Sequence, residues 1–353
     1  MGVFESVGAE THESVHFGVD HESGLRSIVA VHDTTLGPAL GGTRFYPYVT
    51  EEQALTDVLR LSKGMTYKAA CAGLDFGGGK AVIIGNPMTI GSDALFAAYG
   101  NFIDSLGGTY ITAEDVGTTV PNMVVVSRQT DHVSGLPMAQ GGSGDPSPAT
   151  ARGVIAALEA IAIRLWGTDS LRGRRVAIKG VGKVGMSLAE RLHGAGAELV
   201  VADVNDAATD FAASELGAKV TSVDDIHSVD CDIFSPCALG ADLHAASIAE
   251  LSCAAIAGSA NNQLATDTDG QLLRERGILY APDFVVNAGG IINIAAEHGG
   301  YSVAKAGEMV DRIKVNLTEV LEEADRLETD THTAAEHVAD ERIASAKAHG
   351  GTQ

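Results

Sequence analysis

Short apolar runs alternate along this chain with longer stretches whose apolar residues recur every three or four positions. Ser27-Ile-Val-Ala-Val31 is a buried-strand pattern. Glu51 to Lys63 carries Ala54, Leu55, Val58 and Leu59 at helical spacing, with Thr50 placed to cap the start. Ala81-Val-Ile-Ile84 reads as a short strand stopped by Gly85-Asn86-Pro87, Ser92–Ser105 as a helix, and Tyr110–Ala113 as a strand. The stretch Gln140–Pro148, rich in Gly, Ser and Pro, breaks the pattern as a hinge loop would. Beyond it a long helix is expected over Ala149–Trp166. Strands (Arg175–Lys179, Glu198–Ala202, Asp232–Ser235, Ala254–Ala257) then alternate with helices (Lys183–Gly194, Asp206–Glu215). That rhythm predicts a parallel, doubly wound sheet. The tail, Val303–Lys347, reads as two charged helical segments packed on another domain or on a partner subunit.

Composition agrees with an α/β protein of two domains. The chain has 353 residues, 45% hydrophobic, with 42 glycines and only 5% aromatics. Its net charge of −22 repels phosphate backbones and anionic membranes, so nucleic-acid and membrane partners are not expected. No apolar run suits a membrane span, and Met1–Asp20 lacks the basic and apolar regions of a signal peptide, so a cytoplasmic location is expected. The four cysteines, Cys71, Cys231, Cys237 and Cys253, form no Cys-x-x-Cys pair and read as small core residues. His12 and His16 lack a third ligand, so no metal site is expected.

Chemistry gathers at a few loops. Gly180-Val181-Gly182-Lys183-Val184-Gly185 follows a strand and opens a helix. The first glycine allows the tight turn, the second lets backbone approach a pyrophosphate, and the third lets helix and strand pack closely. The next strand ends in Asp203, near the offset of roughly 20 residues at which an acid meets the adenosine ribose. No Arg or Lys follows directly, which favours NAD over NADP. Upstream, Gly77-Gly-Gly-Lys80 is not a P-loop, because position 74 is Leu and Ala81 follows the lysine. Lys80 instead opens a strand behind glycines that admit a small substrate to the backbone. Desolvation and Lys68 nearby would favour its uncharged form, suiting an acid or base. Glu114 and Asp115 end another strand, where one of two adjacent carboxylates faces a cleft.

Seven segments together carry a resemblance: Gly37-Pro-Ala-Leu-Gly-Gly-Thr-Arg44, Met65-Thr-Tyr-Lys68, Gly77-Gly-Gly-Lys80, Thr112-Ala-Glu-Asp-Val-Gly-Thr118, the loop Gly180–Gly185, Gly258-Ser-Ala-Asn-Asn262 and Pro282–Gly290. Their order resembles that of the Glu/Leu/Phe/Val dehydrogenase superfamily, nearest its leucine and valine members, from about Val19 to about Ala344. The resemblance implies an α/β substrate domain over residues 1–145, joined by tail helices within 330–353. It implies a Rossmann-type NAD-binding domain over 146–329, with a cleft between the two. It implies that Lys68 holds the substrate α-carboxylate, that Lys80 activates water, and that Asp115 exchanges protons with the amino group. Thr150 would meet the nicotinamide amide, and Asn262 the substrate or nicotinamide ribose. Gly41 and Gly42 would line the substrate site, and the apolar positions Leu40, Ala113, Ile291 and Ile294 its side-chain pocket.

The implied activity is reversible oxidative deamination of an L-amino acid to a 2-oxo acid and ammonia, in a homo-oligomer. Leu40 replaces the lysine that binds the side-chain carboxylate in glutamate dehydrogenases. Burying a carboxylate there without a cation would cost several kcal/mol, so glutamate is disfavoured. Two isoleucines lean towards valine among the branched-chain amino acids, with a phenylalanine or broad apolar range as the alternative. A 2-hydroxy acid dehydrogenase would instead need a His with an Arg, for which His132 and Arg128 stand outside any motif. A non-catalytic NAD-binding protein would have no use for both lysines and Asp115.

Overall fold

The computed structural model describes residues 12–350. The Met1–Asp20 stretch, read above as no signal peptide, lies outside the described residues as far as position 11. The chain forms two compact units. One contains residues up to Asp145, Ile294–Lys305 and the chain from Ala339 onward; the other contains Pro146–Asn293 and Ala306–Val338.

The first unit is built on a five-stranded mixed sheet in the order β1-β2-β4-β3-β5. Its strands are β1 (Ser14–Asp20), β2 (Leu25–Asp33), β3 (Ala39–Tyr46), β4 (Gly77–Ile84) and β5 (Tyr110–Glu114). The apolar run at 27–31 is the middle of a longer strand, β2, which is buried along almost its whole length. β1 pairs antiparallel with β2, and β2 with β4, while β3 lies parallel between β4 and β5. Alternate residues fall on opposite faces. One face packs Val29, Val31, Ala39, Phe45, Ala81 and Ile83 against Leu95, Phe96, Tyr99 and Ile103 of the helix Asp93–Asp104. The other packs Ile28, Ala30 and Val82 against Ala54, Leu55, Val58 and Leu59.

Those last four belong to the helix Glu51–Cys71, whose start is fixed by Thr50 accepting the Gln53 N–H. The helix runs past the expected end at Lys63, straight through Gly64, because its buried face continues through Thr66, Ala69 and Ala70. β4 also starts earlier than expected, at Gly77, so Lys80 sits inside the strand rather than at its mouth. β1, β3 and the helix Val120–Val126 had no counterpart in the apolar pattern.

The second unit carries six parallel strands in the order β11-β10-β9-β6-β7-β8. These are β6 (Arg175–Lys179), β7 (Glu198–Ala202), β8 (Lys219–Val220), β9 (Ile233–Pro236), β10 (Ala255–Ile256) and β11 (Leu279–Tyr280). Counted from β6, the strands spread outward in both directions from the β6/β9 pair. This is the doubly wound dinucleotide-binding order, with its crevice beyond the carboxyl ends of those two strands. The helices Lys183–Gly194 and Asp206–Leu216 follow β6 and β7. The tail forms three helices rather than two: Val303–Asp311, Ile313–Leu327 and Thr331–Ala348. No helix among the described residues is long and apolar enough to cross a membrane.

Candidate active site

In the first unit, sheet register places the expected substrate residues on one face. Leu40 of β3 faces Gly78 of β4, Gly42 faces Ala113 of β5, and Lys80 pairs with Ala30 of β2. The pairs Leu40↔Gly78 and Thr43↔Ala81 keep one register, which puts Gly42 opposite Lys80. Leu40, Gly42, Gly78, Lys80 and Ala113 therefore share the face on which the helix Glu51–Cys71 packs. Lys68 lies, half-buried, in the last turn of that helix.

The glycines of β3 and β4 also pack closely within the protein. A Cβ at Gly41 would stand 1.8 Å from the Gly79 carbonyl oxygen, and one at Gly78 would stand 2.1 Å from the Thr66 backbone nitrogen.

Lys80 is only 6% exposed. Its Nζ lies 3.1 Å from Oδ2 of Asp115. A buried ammonium so partnered avoids the penalty of an isolated charge. Asp115 follows β5 in a tight turn: its N–H donates to Thr118 Oγ1 at 2.9 Å, and that hydroxyl donates to the Thr43 carbonyl at 2.9 Å. Burial pushes the Asp115 carboxyl up, but the charges of Lys80 and Arg44 outweigh it and hold the group below the usual aspartate value. Arg44 had no role assigned from sequence. Its Nε donates to Asp115 Oδ2 at 3.2 Å and its Nη1 to Asp57 Oδ2 at 2.9 Å, while the Tyr48 hydroxyl also donates to Asp57. The signal that could have found it is its place at the end of the Gly37–Arg44 segment, two residues after the Gly41-Gly42 pair.

In the second unit the glycine loop behaves as its spacing implies. Gly180 has φ +98°, in the left-handed region that favours glycine. A Cβ on Gly185 would stand 2.0 Å from the Gly180 carbonyl oxygen, so helix and loop close only with glycine there. A Cβ on Gly182 would meet nothing within 4 Å. Gly182 is the N-cap of the helix Lys183–Gly194 and has no side-chain cap of its own. An open helix N-terminus is where a pyrophosphate fits. Lys183 is exposed, Val184 half-buried and Val181 buried at this turn.

Asp203 closes the loop from the next strand: its Oδ2 accepts the Val181 N–H at 2.7 Å and its Oδ1 the Asn205 N–H at 2.9 Å. Thr150 sits in the first turn of the helix Ser147–Trp166, its hydroxyl donating to the Pro146 carbonyl. Gly290 packs on it, since a Cβ there would lie 2.9 Å from Thr150 Oγ1. Asn262 is exposed, has φ +52°, and donates its N–H to Asp283 Oδ2 at 2.6 Å. Ile291 and Ile294 lie, both buried, on the helix Gly289–Ala295, which passes from the second unit into the first.

Cys71, Cys231 and Cys253 are core residues, and burial pushes the Cys231 thiol up to about 12 and that of Cys253 to about 11. Cys237 departs from that expectation. It is half-buried and sits against the glycine loop, its Cβ 3.4 Å from where a Gly185 Cβ would stand.

A doubly wound unit with this glycine loop, in one chain with a mixed-sheet unit that pairs a buried lysine with an aspartate, defines an amino-acid dehydrogenase that uses NAD(P). The Glu/Leu/Phe/Val dehydrogenase dimerisation domain matches residues 10–132, and the glutamate/leucine/phenylalanine/valine dehydrogenase domain matches 141–209 and 201–351. Leucine dehydrogenase of Bacillus cereus is 49% identical over 347 residues, covering 98% of this chain and 95% of that protein. Phenylalanine dehydrogenase of Lysinibacillus sphaericus is 49% identical over 327 residues, covering 91% of this chain and 85% of that one. The crystal structure of L-tryptophan dehydrogenase from Nostoc punctiforme superposes with a TM-score of 0.86 at 42% identity, covering 98% of this chain and all of that one. The chain belongs to the Glu/Leu/Phe/Val dehydrogenase family, as an amino-acid dehydrogenase of the leucine dehydrogenase type.

Proposed function

We propose that the protein catalyses the NAD-dependent, reversible oxidative deamination of branched-chain L-amino acids, among them leucine, valine and isoleucine. The observation that carries this reading is the ion pair of buried Lys80 with half-buried Asp115, at a sheet face that also bears Leu40 and Ala113. A lysine and a carboxylate held together in low dielectric can exchange protons with an amino group and with attacking water. Leu40 and Ala113 are aliphatic and offer nothing to a second substrate carboxylate. The resemblance to the family also assigns Ile291 and Ile294, both buried and aliphatic, to the substrate side chain.

In this reading Lys68 binds the α-carboxylate and so sets which substrate hydrogen faces the nicotinamide. Bound NAD supplies the acceptor for the hydride that leaves Cα. Asp115 takes a proton from the substrate ammonium, leaving the amine whose nitrogen lone pair can drive hydride departure. Lys80, once uncharged, removes a proton from water as that water adds to the iminium carbon. Asp115 returns a proton to nitrogen, and as ammonia leaves, the hydroxyl on the former iminium carbon gives its proton to the freed Asp115 carboxylate and becomes the carbonyl of the 2-oxo acid. Gly41 and Gly42 present backbone to the substrate, while Thr150 and Asn262 orient the nicotinamide end.

NAD is favoured over NADP because Asp203 puts a carboxylate at the end of β7, where it would repel a 2′-phosphate. The match to a dimerisation domain supports a homo-oligomer, whose size light scattering would measure.

The test is NADH formation, followed at 340 nm, with L-leucine, L-valine, L-isoleucine, L-phenylalanine, L-glutamate and 2-hydroxyisovalerate. Turnover of the three branched-chain substrates with little from glutamate is expected. The valine lean from Ile291 and Ile294 is settled by the ratio of kcat/KM for valine and leucine, and the 49% identity to a leucine dehydrogenase supports leucine as a good substrate. Turnover of the hydroxy acid alone, or NADH binding without turnover of any amino acid, overturns the proposal.

A further inference from the structure

Asp115 is gripped on one side only. Oδ2 receives both Lys80 Nζ at 3.1 Å and Arg44 Nε at 3.2 Å, and among the described residues no side chain bonds to Oδ1. Arg44 is itself fixed: Asp57, on the helix Glu51–Cys71, accepts from Nη1 at 2.9 Å and from the Tyr48 hydroxyl. Other ionisable groups near Asp115 are its neighbour Glu114 and the buried phenol of Tyr110, whose hydroxyl donates to the Gly41 carbonyl at 2.6 Å.

We propose that Arg44 is a positioning residue for the reaction: braced by Asp57, it holds Oδ2 of Asp115 beside Lys80 and so turns Oδ1 towards the substrate amino group. The idea rests on the reading of Asp115 as the proton carrier. It explains why an arginine occupies a site where Lys80 already balances the carboxylate. One cation can neutralise an aspartate, but a second, directional donor is needed to fix which oxygen is left over. Arg44 also keeps Asp115 ionised when Lys80 loses its proton during turnover, which a lone lysine could not do.

The test is the pH dependence of kcat/KM for L-leucine in the full-length protein. Removing a cation about 3 Å from a carboxylate raises its pKa by about one unit or more. In Arg44→Met, and in Arg44→Gln should the first variant not fold, the acid limb is expected to move at least one pH unit to the alkaline side, with kcat near pH 7 at least tenfold lower. Arg44→Lys keeps the charge and loses the fork: its acid limb stays within about 0.3 pH units of wild type while kcat falls. Asp57→Asn removes the brace and leaves the guanidinium, so kcat falls without a comparable shift of the limb. A limb that stays put in Arg44→Met or Arg44→Gln, or one displaced as far in Arg44→Lys, overturns the proposal. Asp115→Asn separates the two levels. Wild-type turnover in that variant defeats the role given to Asp115 itself, whereas lost turnover there with unmoved limbs in the Arg44 variants defeats only the role given to Arg44.

Discussion

Two glycines of one loop, two residues apart, should fail in opposite ways when each becomes alanine. At Gly180 the backbone has φ +98°, and an added Cβ would lie 2.8 Å from the Ala238 nitrogen and 2.9 Å from both the Ala238 Cβ and the Cys237 carbonyl carbon. Those atoms belong to the chain just beyond β9, so none is the end of a flexible side chain. A left-handed conformation costs an L-residue about 1–2 kcal/mol, and forcing an extra carbon into packed structure costs about 1–3 kcal/mol more. Gly180→Ala is therefore expected to lose roughly 2–5 kcal/mol, which lowers Tm by about 4–20 °C for a unit of this size.

At Gly182 the backbone has φ −69°, which alanine adopts, and a Cβ there meets nothing within 4 Å. Its only structural cost is that alanine caps a helix worse than glycine, by less than about 1 kcal/mol. The space it fills is where the pyrophosphate would approach the helix N-terminus. Gly182→Ala is therefore expected to keep Tm within about 3 °C of wild type and to weaken NADH binding at least tenfold, about 1.4 kcal/mol. Differential scanning fluorimetry without cofactor reads the first quantity, and NADH fluorescence titration the second. NADH affinity unchanged in Gly182→Ala would refute the assignment of that open space to the cofactor. A Tm in Gly180→Ala equal to wild type would refute the steric reasoning.

Lys80→Ala is expected to reduce kcat by about 100-fold or more while NADH binding persists, checked by NADH formation and by fluorescence titration. Activity above a tenth of wild type would remove Lys80 from the chemistry. Asp203→Ala should narrow the preference for NAD over NADP and weaken NADH binding, because it deletes both the repelling carboxylate and the acceptor of the Val181 N–H. An unchanged NAD/NADP ratio of kcat/KM would count against that role. Burial and the neighbouring His12 depress the His32 imidazole to about 4, whereas an unfolded chain protonates near 6.5. Its buried neutral state is favourable above pH 6.5, and that contribution is lost as pH falls towards 4. Wild type should lose urea stability across this window more steeply than His32→Gln, and parallel curves would refute the reasoning.

The elements legible in the chain were those whose side chains report their surroundings. β2, β6 and β7 are apolar along most of their length because both faces of each sheet are covered, and helical spacing marked Asp93–Asp104 and Lys183–Gly194 for the same reason. β3 escaped notice. Its sequence, Ala-Leu-Gly-Gly-Thr-Arg-Phe-Tyr, has two glycines, a threonine and an arginine where a buried strand should be apolar. It is a strand because β4 and β5 flank it on both sides, a fact of tertiary pairing that no local window contains.

The same strand explains why the residue types of the site could be read while their geometry could not. Lys80 and Asp115 stand on opposite sides of β3, and the side chain of Lys80 reaches the carboxylate across Gly42. A Cβ at Gly42 would lie 2.9 Å from the Cβ of Asp115 and 2.5 Å from the Glu114 carbonyl oxygen. The absence of a side chain at that one position lets a lysine of β4 and an aspartate of the turn after β5 meet, and Arg44, two residues further along β3, then reaches the same carboxylate oxygen from the same face. The glycine pair looked like room left for a substrate. Within this sheet, Gly42 is also the opening through which the ion pair forms.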